Sequence, residues 1–123
     1  MIIDHLGFAV SDYEQSKIFF SKALAPLGIT VILEVNDWAG LGKNGKPEFW
    51  LGKGGTVQGH LHVAFVADSR EQVRQFYAAA LDAGAKDNGA PGIRAQYHPD
   101  YYGAFVIGPD GHNIEAVCHQ AEP

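Results

Sequence analysis

The sequence predicts an α+β protein built from two copies of one mixed unit, and three observations carry that reading. The first is a repeat at an offset of 57 residues, in which His5-Leu-Gly-Phe8 returns as His62-Val-Ala-Phe65. The agreement continues through Glu14/Glu71, Gln15/Gln72, Phe19/Phe76, Phe20/Tyr77, Ala23/Ala80 and Leu24/Leu81. The second is a capping box opening a helical stripe in each copy, Asp12-x-x-Gln15 and Ser69-x-x-Gln72. The third is the turn chemistry after each helix, Asn44-Gly45 in the first copy and Pro109-Asp-Gly111 in the second.

Taken in order, residues 2–10 read as a strand with Ile2, Leu6, Phe8 and Val10 on one face. Ile3, His5, Gly7 and Ala9 take the other, because side chains alternate along a strand. A helix follows to about Leu27, its apolar stripe being Ser16, Phe19, Phe20, Ala23, Leu24 and Leu27, and Gly28 ends it. Residues 29–36 and about 47–52 read as strands, with Leu41–Gly45 supplying a hairpin between them. The glycine-rich run 52–59 is the joint, so module one spans about 1–55 and module two about 56–123 of a single domain. The second strand, 60–67, puts Phe65 toward its helix and His60, His62 and Ala64 on the opposite face. The second helix ends near Gly84, 87–103 is a long Gly/Pro/aromatic stretch, and a hairpin of 103–108 and 112–119 closes the chain. Each copy therefore runs β-α-β-β(-β), with mostly antiparallel pairing.

Bulk composition removes several function classes. At 123 residues and 46% hydrophobic, the chain can bury one workable core. A net charge of −5 with nine Lys+Arg argues against nucleic acid, whose binding needs clustered cations. No apolar run approaches membrane-spanning length and no signal-peptide pattern opens the chain, so a soluble, cytoplasmic protein is expected. A single cysteine, Cys118, forbids an intrachain disulfide and fits a reducing compartment. Gly40-x-Gly42-x-x-Gly45 matches a dinucleotide fingerprint in form, but Lys46-Pro47 and a strand follow where a helix N-terminus is required. It is read as hairpin.

The residues that could carry chemistry are those the repeat did not need for packing. His5 and His62 occupy equivalent positions, each followed two residues on by a small residue, Gly7 or Ala64. Glu115 lies in mid-strand between Ile114 and Ala116, where a carboxylate is costly to bury unless it is paired or metal-bound. Two imidazoles and a carboxylate are the ligand set of open divalent-metal sites, whether zinc, nickel, iron or manganese. A lone strand histidine is more often a hydrogen-bonded core residue; the symmetry of the pair is what favours ligation.

Three segments carry a family resemblance: Ile3–Asp12, Leu61–Phe65 and Gly108-Pro-Asp-Gly-His-Asn-Ile-Glu-Ala116. Together they resemble the vicinal-oxygen-chelate superfamily, which includes glyoxalase I, extradiol dioxygenases, fosfomycin-resistance transferases and bleomycin-resistance proteins. The resemblance spans essentially the whole chain. It implies paired βαβββ modules forming a curled mixed sheet around a cleft, with His5, His62 and Glu115 as metal ligands, and commonly a homodimer. The departures from individual members are informative. The fourth ligand of glyoxalase I corresponds to Trp50, with Glu48 on the same strand face as a substitute. The catalytic tyrosine of extradiol enzymes corresponds to Phe105. Bleomycin-binding members usually lack the ligands that this chain keeps.

The expectation is thus a divalent-metal enzyme acting on a small oxygen-chelating compound, by isomerase/lyase or ring-cleaving dioxygenase chemistry. A drug-binding dimer without catalysis is the alternative. Glu115, which could double as a base, and His60 are the catalytic candidates, although His60 also reads as a polar strand end. Trp50, Arg94, Tyr97, Tyr102 and Phe105, with His98 and Tyr101, suit a cleft wall. His112 and His119 are placed in a turn and at a solvent-facing strand end.

Overall fold

The computed structural model describes residues 2–122 and contains two four-stranded mixed sheets, each with one helix. In module one the order of elements is β1 (Leu6–Ala9), α1 (Tyr13–Leu24), β2 (Thr30–Val35), β3 (Trp38–Lys43) and β4 (Lys46–Gly52). Module two repeats it with β5 (His62–Val66), α2 (Arg70–Asp82), β6 (Lys86–Ile93), β7 (Tyr102–Ile107) and β8 (Asn113–Cys118). The sheets run β1-β4-β3-β2 and β5-β8-β7-β6, neither of them closed. In each, the first strand lies parallel to the last and the remaining pairs are antiparallel. The predicted βαβββ repeat is therefore the architecture. No helix among the described residues is long and apolar enough to cross a membrane.

The helices begin where their caps dictate. The Asp12 carboxylate accepts from the Gln15 backbone N–H at 3.1 Å, and the Ser69 hydroxyl accepts from that of Gln72 at 3.1 Å. α1 stops at Leu24 because Pro26 cannot continue it; a 3₁₀ turn over Ala25–Leu27 follows, and Gly28 closes it at φ +80°. Every residue of the anticipated apolar stripe, from Ser16 to Leu27, is buried. α1 packs against α2, so one core runs between the two modules rather than within each. A chain of edge-on rings crosses it, Phe20 to Phe49 at 5.0 Å and Phe49 to Phe65 at 5.0 Å. At the surface, Ser11 ties the modules together, its backbone N–H donating to Asp110 Oδ2 at 3.1 Å and its hydroxyl to Oδ1.

The structure corrects two local readings. The segment read as hairpin around Leu41 is mostly strand β3, entered by a turn at Asn36-Asp37 with both residues in the left-handed region. The predicted Asn44-Gly45 turn is present, at φ +54° and +75°, as a two-residue hairpin requires. Residues 87–93 of the stretch 87–103 belong to strand β6, paired to β7 with two irregularities in register. His112 directly follows a 3₁₀ turn over Pro109–Gly111, and its side chain is fully buried. Its ring meets Phe8 edge-on at 4.8 Å, and its Nδ1 accepts from the Leu61 N–H at 3.2 Å. His119 is exposed just past the end of β8, as expected.

Candidate metal and substrate site

Each sheet has one face on the shared core and one face left open, and alternation decides which residues go where. Phe8, Leu51, Ala39, Leu41 and Phe49 fill the core side of sheet one, whereas Gly7, Trp50, Gly40 and Trp38 fall on the other side. In sheet two Val63, Phe65, Ile114 and Val106 face the core, leaving His62, Ala64, Glu115 and Phe105 on the open face. Register makes the two open faces directly comparable. Gly7 pairs with Trp50 in sheet one, and Ala64, its repeat equivalent, pairs with Glu115 in sheet two. Trp50 is therefore the counterpart of Glu115, as the sequence indicated.

On sheet two, Glu115 is only 1% exposed although it stands on the open face, because neighbouring side chains cover it. His62 Nε2 meets Oε1 at 2.8 Å, and the Tyr101 hydroxyl donates to Oε2. Both carboxylate oxygens are thus engaged, which offsets the cost of burying the charge. Burial, then the adjacent Glu115 carboxylate, pushes the Tyr101 hydroxyl well above the usual phenol range. Phe105, opposite Glu115 on β7, has its ring centroid 6.1 Å from that of His62, and the Arg94 guanidinium lies 5.3 Å over the Phe105 ring. The Tyr97 ring meets that of Tyr101 at a 60° tilt, centroids 5.1 Å apart, and His119 meets Tyr101 edge-on at 5.1 Å.

On sheet one, His5 is exposed, its Nδ1 2.7 Å from Asp4 Oδ1. That contact, and Lys46 beyond it, hold the Asp4 carboxyl below its usual range. His5 lines a cleft of about 490 Å³ with Gly7, Val35, Asn36, Trp38 and Trp50. Glycines make room for the two indoles. A side chain at Gly52 would run into the Trp38 ring, and a Cβ at Gly40 would stand 2.9 Å from the Trp50 ring. Of the glycines that imitate a dinucleotide fingerprint, Gly40 makes room for the Trp50 ring, Gly42 lies against the Lys46 backbone and Gly45 serves the hairpin turn.

The predicted trio is therefore brought together in part. His62 and Glu115 meet; His5 lies in the other module, and among the described residues no three His, Cys, Asp or Glu side chains of the chain cluster closely enough to hold a metal. Glu48 stands on β4 two residues before Trp50, at an irregularity in the pairing of β3 with β4. His60 precedes β5 in the left-handed region, at φ +61°, beside Gly111. Tyr102 faces α2, where its hydroxyl accepts from Arg74 Nη1 at 3.2 Å and its ring lies under Arg70 and Arg74. Sequence reasoning missed Trp38 and the bond from Tyr101 to Glu115. The signal for the second was alternation, since Tyr101, Gly103 and Phe105 fall at every second position.

Comparison with known proteins agrees with this geometry. The family model described as the glyoxalase/bleomycin resistance protein/dioxygenase superfamily matches residues 2–116. A glyoxalase/bleomycin resistance protein of Albidiferax ferrireducens T118 is similar in structure, with a TM-score of 0.85 and 27% identity over 96% of this chain and 99% of that one. A possible glyoxalase of Bacillus cereus gives a TM-score of 0.66 at 27% identity, over 96% and 99%. A glyoxalase I mutant of Zea mays shares the fold at 20% identity and a TM-score of 0.67, with 98% of this chain covering 45% of that longer one. No curated protein matches. With nearly the whole chain matched, the protein belongs to the glyoxalase/bleomycin resistance protein/dioxygenase superfamily.

Proposed function

We propose that the protein is a divalent-metal enzyme acting on a small compound with paired oxygens, its site completed between two copies of the chain. The observation that carries this reading is the buried Glu115 carboxylate facing an imidazole nitrogen on an otherwise open sheet face. The donor set fits a divalent ion: His62 Nε2 and Glu115 Oε1 point at one another, and His5 is the equivalent imidazole of the other sheet. β1 and β5, which His5 immediately precedes and His62 opens, are both edge strands, and both histidines are more than half exposed. A homodimer that sets β1 of one copy beside β5 of the other would bring the three donors together.

A bound ion would supply Lewis acidity to the substrate oxygens. The chain's own groups do the rest. Trp38 and Trp50 form an apolar floor that orients a flat or aromatic part of the substrate. Phe105, Tyr97 and Arg94 wall the opposite side, and of the Glu115–His62 pair it is the carboxylate that can take up a proton, at Oε1, when that oxygen is not engaged by the ion. Isomerase or lyase chemistry suits such a proton acceptor. Ring-cleaving dioxygenase chemistry suits the same donor set. The buried thiol of Cys118 fits a cytoplasmic location.

A second reading is favoured by the tryptophan cleft, which carries no ionisable side chain other than His5. In it the protein is a dimer that sequesters an aromatic drug or metabolite without turnover. Metal content separates the two. Protein purified without chelator should hold one zinc, nickel, iron or manganese ion per site, and His5→Ala, His62→Ala and Glu115→Ala should each lose it. Wild-type protein that is metal-free and takes up none of the four ions leaves only the binding reading.

A further inference from the structure

We propose that Tyr101 is a positioning residue that fixes Glu115 so that a single carboxylate oxygen, Oε1, is presented beside His62. The inference rests on the reading of His62 and Glu115 as the functional centre, and adds a part to it. Both oxygens of the buried carboxylate have one donor each, the phenol on Oε2 and the imidazole on Oε1. The phenol reaches Oε2 across Gly103, the β7 residue between Tyr101 and Phe105 on that face. A Cβ at Gly103 would stand 3.1 Å from Glu115 Oε2 and 3.2 Å from Tyr101 Cε1, so any larger residue would part the two groups.

Tyr101 is itself held on several sides. Its backbone N–H donates to the His98 carbonyl at 3.1 Å, and its carbonyl accepts from the Arg94 N–H at 2.7 Å. Tyr97 and His119 pack on its ring. A phenol fixed in this way keeps Oε2 occupied, and a carboxylate with one oxygen occupied has one left for another partner. Glu115 then contributes one donor atom instead of two, which keeps more of the open face for the paired oxygens of a substrate.

The test compares Tyr101→Phe with wild type in both metal-free and Co(II)-loaded protein. In metal-free protein the infrared carboxylate band of Glu115, identified by its loss in Glu115→Gln, should shift when the phenol is removed. In loaded protein Co(II) affinity should fall by roughly 10- to 100-fold, the usual effect of removing a partner of a ligand. The loss should vanish in a Glu115→Gln background. Gly103→Ala should reproduce the band shift by displacing the same ring, which covers the case in which Tyr101→Phe folds poorly. Tyr77→Phe, which removes a hydroxyl bonded to Asp87 and leaves the bond to Glu115 intact, should change neither readout.

An unshifted Glu115 band in both Tyr101→Phe and Gly103→Ala overturns the proposal, as does an affinity loss of equal size in the Glu115→Gln background. A wild type that binds no Co(II) but shows the band shift supports the Tyr101 clamp while removing the metal reading of the site.

Discussion

His112 shows how a single side chain can set the response of this fold to acid. Its ring is fully buried against Phe8, Nδ1 accepts from the Leu61 N–H, and Nε2 has no partner. Burial holds its pKa below the ordinary 6.5, against a smaller opposing influence of the Asp110 carboxylate. A histidine whose folded pKa is depressed binds its proton more readily in the unfolded chain. Its contribution to stability is therefore complete above pH 6.5 and is lost as pH falls through 6.5 toward the folded value. Urea unfolding should thus give a lower midpoint at pH 5.5 than at pH 7.5, with the difference reduced in His112→Phe. An undiminished difference in the variant would assign the acid sensitivity elsewhere. Glu34 and Asp4, whose carboxyls lie below their usual range through Lys17 and His5 respectively, titrate under this window and do not confuse it.

At the scale of elements, the two helices repeat one design with different caps, which permits a controlled comparison. Asp12 and Ser69 each accept from the backbone N–H three residues on. Ser69→Ala and Asp12→Ala should each lower stability by about 1 kcal/mol in urea titrations, with far-UV circular dichroism unchanged. A loss well above that would mean that the caps also hold the junctions between modules, of which the Ser11–Asp110 tie is one. The helices were legible in the sequence because cap, stripe and stop agree at each level. β1 and β5 were legible from alternation, and the repeat located His5 and His62. β3 and β6 were not, for a shared physical reason. β3 carries Gly40 and Gly42, and β6 carries Gly89, Pro91 and Gly92, residues that ordinarily interrupt a strand. Here the absent side chains are filled by rings from neighbouring strands. Trp50 lies over Gly40, and Phe105 and Arg94 crowd Gly89. A pattern read along one strand cannot show what lies across from it. The same blindness hid the phenol of Tyr101, whose partner is fourteen residues away and reached only through Gly103.

For the molecule as a whole, the decisive property is that the core lies between the modules, while the sheet faces bearing the site residues turn outward. Leu33 and Val35 on sheet one and Val66 on sheet two stand exposed on those faces, Val66 at 67%, alongside the half-exposed His62. Apolar residues around a functional group on an edge strand mark a surface that another chain can cover. The proposed dimer covers both faces at once, because each copy offers a His5 face and a His62–Glu115 face. Two equivalent sites then form about one twofold axis. Light scattering coupled to size exclusion should give twice the 13.3 kDa chain mass for the wild type. Val66→Glu places a charge on the edge strand without touching the core, so it should yield a monomer with native circular dichroism. That monomer should also lose bound metal, although His5, His62 and Glu115 are all intact. A monomeric Val66→Glu that keeps one ion per chain would place the complete site within a single copy, and the dimer would then have no part in ligation.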